Sequence, residues 1–330
     1  MKNGEIKKLK SRGKSMSLTY TSAIAKQNQS NVFDNYNFNI PEKEYKNRLK
    51  ERKGTDYIKF AYETWKNSLD KNIITAIKNY NYSAIDFAYE QACNLLKDTE
   101  FNSWQEIFED ILDWKDENNF NADCNYLNGL FISALLNEGN KDLLEYKWKH
   151  ENLKLLGFRL KHGRIIIIKE LSKVGEVGIY AEGDILNFGS IKCSMAVRST
   201  GGIQINIGIV NGNMAFKSFA GTQINTFYVG RNFAYMTEGG MQINFGNVGC
   251  YIAHCTSGSK QLNFGYPRNK MTDHTSHAYR EDKELKRIVN RLKNELEYYK
   301  IFPLKDVYEM LNKTKNIVND IYAYFNKVKL

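Results

Sequence analysis

Proline is scarce in this chain, and no long apolar run occurs in it. The three prolines among 330 residues exclude a proline-rich linker. No stretch of about 18 apolar residues is present, so the sequence predicts no membrane-spanning helix. The five cysteines are an odd, scattered set, which favours free thiols in a reducing compartment: Cys93, Cys124, Cys193, Cys250 and Cys255. We therefore expect a cytoplasmic protein.

Positive charge is concentrated at the start of the chain. The formal net charge is +10, and residues 1–53 carry 13 Lys/Arg against 5 Asp/Glu. Residues 1–40 show no periodicity and are predicted to be a disordered basic arm, with the cations grouped at Lys7, Lys8, Lys10, Arg12 and Lys14. Such an arm can contact nucleic acid or be a solvated tail. A targeting peptide within residues 1–25 stays an open alternative.

Residues 41–160 have the pattern of a helical domain. Apolar side chains recur at helical spacing, as in Ile58, Ala61 and Trp65. Ser103 with Glu106 has the form of a capping box, and Gly139 ends the last stripe. We expect five or six helices, whose aromatic residues form a core.

A repeat of 19 residues dominates the next part of the chain. Its asparagines are evenly spaced, at Asn187, Asn206, Asn225, Asn244 and Asn263. A glutamine lies two positions before four of them, at Gln204, Gln223, Gln242 and Gln261. Each copy holds two short extended segments, with Ile203 and Ile205 on one face and Gln204 on the other. One copy cannot bury an apolar face alone, so the copies are expected to stack.

The predicted fold class is α+β multidomain, with a β-solenoid between helical parts. Residues 161–267 are expected to form a right-handed β-helix of about five 19-residue coils. Antiparallel hairpins are the rival geometry, because Asn211-Gly212 suits a hairpin turn. The turn residues vary between copies while the columns stay constant, which favours coils. Residues 268–330 are predicted to be a C-terminal helical hairpin that covers an end of the stack.

The solenoid resembles the GXGXG-type β-helix that occurs in the large subunit of glutamate synthase and in one subunit of formylmethanofuran dehydrogenase. The segments Val229–Gly240 and Met241–Gly249 carry the resemblance, which covers about a third of the chain. It implies a structural element without catalytic residues. Phe227 replaces the strand-end glycine of the other copies, and Lys2, not a cysteine, follows Met1. Polymer-forming bactofilin solenoids are more loosely similar but lack large helical flanks.

Candidate chemical groups do not converge in the sequence. Cys250, His254 and Cys255, with His274 and His277 beyond them, lack metal-ligand spacing. The acids of the repeats form no paired column: Glu170, Glu176, Glu182, Asp184 and Glu238. The glutamine column is either an outward binding surface or an amide ladder within the stack. We assign no catalytic, cofactor-binding or metal-binding residue and expect no cofactor.

Three functional hypotheses follow from these patterns. The first is a non-catalytic scaffold that self-associates or binds a protein partner, with the helical domain as the partner-binding part. The second is a nucleic-acid-binding protein that uses the basic arm and the cations at Lys283, Lys286, Arg287 and Arg291. The third is an enzyme whose acids lie between Glu106 and Asp123. No membrane contact is expected.

Overall fold

The computed structural model describes residues 54–111, 122–265, 282–301 and 307–328. The chain divides into two compact units, residues 1–47 and 48–330, and all described residues belong to the second. The predicted basic arm therefore lies outside the described residues.

Five helices precede the solenoid in the part of the chain that the structure describes. They are α1 (Thr55–Ser68), α2 (Lys71–Lys78), α3 (Tyr82–Leu96), the short α4 (Trp104–Glu106), which continues as a π-helix (Ile107–Ile111), and α5 (Ala122–Glu138). Side chains close the N-termini, since Asp70 accepts hydrogen bonds from two amides of α2 and Asn81 from two of α3. Ile58, Trp65 and Phe131 are fully buried. These helices confirm that residues before the repeat form a helical core.

Thirteen parallel strands build the β-solenoid that the repeat predicts. Sheet A holds seven of them: β1 (Leu143–Tyr146), β3 (Ile165–Ile168), β5 (Asp184–Asn187), β7 (Ile203–Asn206), β9 (Thr222–Asn225), β11 (Met241–Asn244) and β13 (Lys260–Asn263). Sheet B holds six two-residue strands: β2 (Lys149–His150), β4 (Lys173–Val174), β6 (Ser190–Ile191), β8 (Ile209–Val210), β10 (Tyr228–Val229) and β12 (Asn247–Val248). All pairings are parallel, which rules out the hairpin geometry.

Each coil has a third side, linked by single bridges instead of a ladder. The bridges join Leu156, Val177, Met195, Met214, Phe233 and Ile252 in succession. The stack thus has six complete coils and a final strand. It has one coil more than the repeat suggested, because the coil that begins at Leu143 pairs with β3 but carries none of the repeated amides. The sequence signal alone could not find it.

The register aligns identical residues, as expected for stacked copies. Gln204 pairs with Gln223, and Asn206 with Asn225. Gln223 then pairs with Gln242, and so on along sheet A. The right-handed sense of the coils stays a prediction.

Helix α5 packs directly on the first coil. A Cβ added to Gly129 would lie 1.7 Å from the carbonyl oxygen of Lys154, so the two backbones are in close contact. The buried Ser133 hydroxyl accepts from Gly157 N at 2.8 Å and donates to Leu155 O at 3.0 Å. Trp104 Nε1 donates to Leu143 O at the edge of sheet A. The helical domain therefore closes the N-terminal end of the stack and shares one core with its interior.

Two C-terminal helices cover the outer face of sheet A. They are α6 (Lys283–Ile301) and α7 (Val307–Lys327). Their apolar side chains, such as Leu292 and Ile321, form one cluster with Ile167, Ile205 and Ile243 of the sheet. Successive residues of α7 contact successive strands of sheet A. Lys315 binds Asp184, and Lys260 lies over the ring of Phe325. The hairpin thus lies along the side of the stack. The expectation from the sequence, that it covers an end of the stack, is not met.

No helix among the residues that the structure describes is both long and apolar enough to cross a membrane.

Candidate functional site

The repeated asparagines form a continuous ladder inside the solenoid. The Nδ2 of each donates to the Oδ1 of the next, at 2.8 Å for Asn187 to Asn206 and for Asn206 to Asn225. The ladder continues at 2.7 Å to Asn244 and at 2.8 Å to Asn263. Several Oδ1 atoms also accept the amide two residues ahead, which holds the corner of the coil. All five side chains are buried, so they stabilise the stack and face no ligand.

The repeated glutamines form a second interior ladder. Gln223 Nε2 donates to Gln204 Oε1 at 2.8 Å, and Gln242 Nε2 donates to Gln223 Oε1 at 3.0 Å. The ladder stops there, because Gln261 Nε2 turns to Ser259 Oγ and leaves Gln242 Oε1 without a partner. The interpretation of this column as an outward binding surface is therefore wrong, and the amide ladder is confirmed. The period of two identified the column, but not which side it faces.

A buried carboxylate marks the contact between the helical domain and the third side of the second coil. Glu176 is 7% exposed, and its Oε2 accepts from the hydroxyl of Tyr80 at 2.8 Å. Lys154 Nζ lies 3.0 Å from the hydroxyl of Tyr126 and 4.9 Å from the centre of that ring. Glu176 occupies the column of Ser194, as the bridge between their neighbours shows. A single charge in an otherwise neutral column was the signal that could have identified it.

Burial controls the electrostatics of this contact. It raises the pKa of Glu176 above its ordinary value, although the Tyr80 hydrogen bond and Lys154 oppose the shift. Burial, with the charge of Glu176, also raises the pKa of Tyr80. The pKa of the Cys193 thiol is raised by burial and by Glu176, so this thiol is not an activated nucleophile. The cluster is therefore arranged to hold two parts of the chain together, without activating a reacting group.

An arginine completes the same contact one coil further on. The guanidinium of Arg198 lies 4.5 Å from the ring centre of Tyr82 and donates to the hydroxyl of Tyr180. Tyr82 and Tyr180 also pack edge to face, with 5.5 Å between their centres. This arrangement holds the first turn of α3 against the solenoid.

The structure does not bring together the cysteines and histidines near the end of the repeat. No three His, Cys, Asp or Glu side chains in the described ranges lie close enough to hold a metal ion. His254 instead stacks with Tyr251 at 5.1 Å and with Tyr235 at 5.2 Å. His274 and His277 lie outside the described residues, as does most of the acidic segment between Glu106 and Asp123.

Acids of the repeats are also separated by the fold. Asp184 is buried at sheet A, where Oδ1 accepts from Ile203 N at 2.8 Å and Oδ2 binds Lys315 at 2.7 Å. Glu182 and Glu238 are exposed at turns three coils apart. Asp184 therefore holds α7 in register on the sheet and is not one of a catalytic pair.

The cations of α6 border an open cleft of about 520 Å³ between α6 and α7. Arg287, Arg291 and Lys327 line it, together with Glu284 and Asp320. Arg291 pairs with Asp320, and Lys327 lies 3.4 Å from Glu284. Lys283 and Lys286 are exposed on the same helix. The two acids pair with Arg291 and Lys327, so Arg287, Lys283 and Lys286 leave this face of the hairpin with a positive net charge.

No protein family matches the chain, and neither a curated protein nor a solved structure is significantly similar to it. The parallel β-solenoid of about six coils stands on the structure alone.

Proposed function

We propose that this protein is a non-catalytic scaffold, a β-solenoid that presents its surfaces to other copies of the chain or to a protein partner. One observation carries the proposal: the recurrent polar side chains form hydrogen bonds with each other inside the stack. Asn206, Asn225 and Gln223 are fully buried and hydrogen-bonded along the stack. A repeat that supplies its polar residues to its own interior builds a rigid rod.

The closed N-terminal end shapes the kind of assembly we expect. Helix α5 and Trp104 occupy the first coil, where a second solenoid would have to add its strands. Head-to-tail growth into a filament is therefore blocked. An isologous contact through a side of the rod gives instead a closed complex of fixed size.

Two finer assignments belong to the same proposal. Gly239 and Gly240 both have positive φ at the turn into sheet A, in the segment that resembles the GXGXG-type β-helix. This geometry supports membership of that type. The cysteines Cys93, Cys193, Cys250 and Cys255 are free thiols, which supports a cytoplasmic location.

Size-exclusion chromatography with light scattering on the full chain tests the proposal. The expected result is one discrete multimer whose mass does not change with dilution over the working range. A species that keeps growing with concentration contradicts the blocked end, and a monomer at every concentration contradicts self-association. Turnover of any substrate that is lost on substituting a solenoid residue contradicts the scaffold itself.

A further inference from the structure

Coils three to six have almost no negative charge. Residues 184–265 contain five Lys/Arg and two acids, Asp184, which is buried at sheet A, and Glu238. Glu238 lies at the turn before sheet A, away from sheet B. On and beside sheet B, Lys192 and Arg231 are exposed, and Arg231 forms no ion pair within the described residues. This side of the rod therefore presents an uncompensated positive charge, which favours an anionic partner.

Exposed aromatic rings occupy the same side. Tyr228 points outward from sheet B and is 37% exposed, between Ile209 and Asn247 in register. Its ring stacks on no other ring in the part of the chain that the structure describes. The next column has glycine at Gly230 and Gly249, so no side chain there covers the ring. Tyr228 thus offers a flat surface to solvent.

Phe227 stands where the fold favours glycine. In the clear copies of the repeat, the same corner is otherwise occupied by Gly189, Gly208, Gly246 and Gly265. A Cβ at those positions would lie 1.9 to 2.4 Å from a carbonyl oxygen of the preceding coil. Phe227 is the exception among these copies, and its side chain is 51% exposed. A residue that departs from the pattern of the repeat and stays half exposed is a candidate functional position.

We infer that the outer face of sheet B binds single-stranded nucleic acid, with bases stacked on Phe227 and Tyr228 and phosphates bound by Arg231 and Lys192. Lys192 lies two coils from Tyr228, or roughly 10 Å along the stack, within reach of phosphates that flank a stacked base. Exposed amides at Asn211 and Asn247 offer donors and acceptors to base edges. Rings beside cations on a flat strand surface are the elements of single-strand recognition.

An acidic protein surface fits these observations less well. The core of a protein interface is a contiguous apolar patch depleted of charge. Here the two rings are surrounded by amides and cations. The inference goes beyond the proposed scaffold, because it adds a nucleic-acid ligand to the rod. Light scattering and nucleic-acid binding are separate readouts, so each proposal can fail alone.

Fluorescence anisotropy on the full chain tests the inference, with labelled oligouridylate and oligothymidylate of about 15 nucleotides as probes. The double variant Phe227→Gly with Tyr228→Ser should weaken binding by at least about tenfold, since each stacked base contributes that order of affinity. Arg231→Gln should reduce the salt dependence of binding by about one phosphate contact. The ratio of RNA to DNA affinity shows which nucleic acid is preferred.

Controls separate this surface from the basic arm, which every variant retains. Tyr298→Ser removes a ring on α6 that is 54% exposed and should leave affinity unchanged. Phe227→Gly introduces the residue of the other clear copies, so the variant should fold and lose no more than about tenfold in its folding equilibrium constant. Unchanged affinity of the double variant overturns the inference. The inference is also overturned if polyglutamate binds as tightly as the oligonucleotides or more tightly, in a manner that depends on the two rings. That result identifies an acidic protein partner.

Discussion

The two sheets of the solenoid put their polar side chains on opposite sides. In sheet A, Gln204 and Asn206 face inward and Ile205 faces outward, under the C-terminal hairpin. In sheet B, Val210 and Val229 face inward, and Asn247 faces solvent. Both follow the same alternation, so alternation does not decide which side is interior. The difference is made by what covers the outer face, since an apolar face needs a cover and an amide column needs partners.

Removing the cover should have the largest effect. Ile321→Asp places a carboxylate at a fully buried site between α7 and sheet A. We expect a loss of several kcal/mol in the free energy of unfolding and exposure of the isoleucine face, seen as dye binding and aggregation. Asn326→Asp on the exposed side of α7 is the control. A variant that stays monodisperse, with an unchanged unfolding midpoint, would show that sheet A does not need the hairpin.

Exchanging the polar residues inside sheet A for apolar ones, or the apolar residues inside sheet B for polar ones, should reduce the free energy of unfolding by less. Asn225→Leu removes the hydrogen bond from Asn206 and the one to Asn244, and should destabilise the chain by about 2–4 kcal/mol. Val210→Asn, the reverse change, puts an amide among the aliphatic residues below sheet B and should cost a similar amount. Asn247→Leu, on the exposed side, should stay within about 0.5 kcal/mol. Urea unfolding compares all three, and a stable Asn225→Leu would mean that the ladder contributes nothing.

The ion pair that positions the hairpin should have a smaller effect. Lys315→Met leaves the buried carboxylate of Asp184 with only the amide of Ile203, at a cost of about 1 kcal/mol, reduced by the partial exposure of Lys315. Lys313→Met removes an exposed lysine of the same helix whose partners, Glu309 and Glu295, keep access to solvent, so it should cost less. Equal unfolding midpoints for the two variants would exclude a positioning role for Asp184.

The buried carboxylate at the helical domain should give the smallest effect, visible as a pH dependence. Because burial raises the pKa of Glu176, the folded state holds its proton more tightly than the unfolded state. Stability from this group is therefore greatest below the ordinary glutamate pKa and is lost as pH rises through the raised value.

Glu176→Gln keeps an acceptor for Tyr80 and removes the charge. We expect the difference between its unfolding midpoint and that of the parent to increase from acidic to neutral pH. Denaturation of both proteins across that range measures the difference. A difference that is constant with pH would contradict the raised pKa of Glu176. Glu63→Gln, at an exposed site on α1, is the matched control.

The sequence by itself determined the repeat and therefore the stack. Identical residues at a spacing of 19 must align when copies pair in parallel, and the observed register follows from that. The helices on both sides were also predictable, because apolar spacing and capping residues are local signals. The first coil was not, since its strands β1 and β2 pair with β3 and β4 through the backbone, while residues 143–164 carry no repeated side chain.

Only the tertiary structure decided which face of each strand is inside. A period of two divides Gln204 from Ile205 but is symmetric between the two sides. The hairpin, about 80 to 120 residues further along the chain, breaks that symmetry by burying the isoleucines against α6 and α7. The contact of Glu176 with Tyr80 was equally hidden, because it joins residues 96 positions apart. The local sequence pattern determines which strands can pair. Which face of a strand becomes interior is determined by burial, and burial depends on elements far away in the chain.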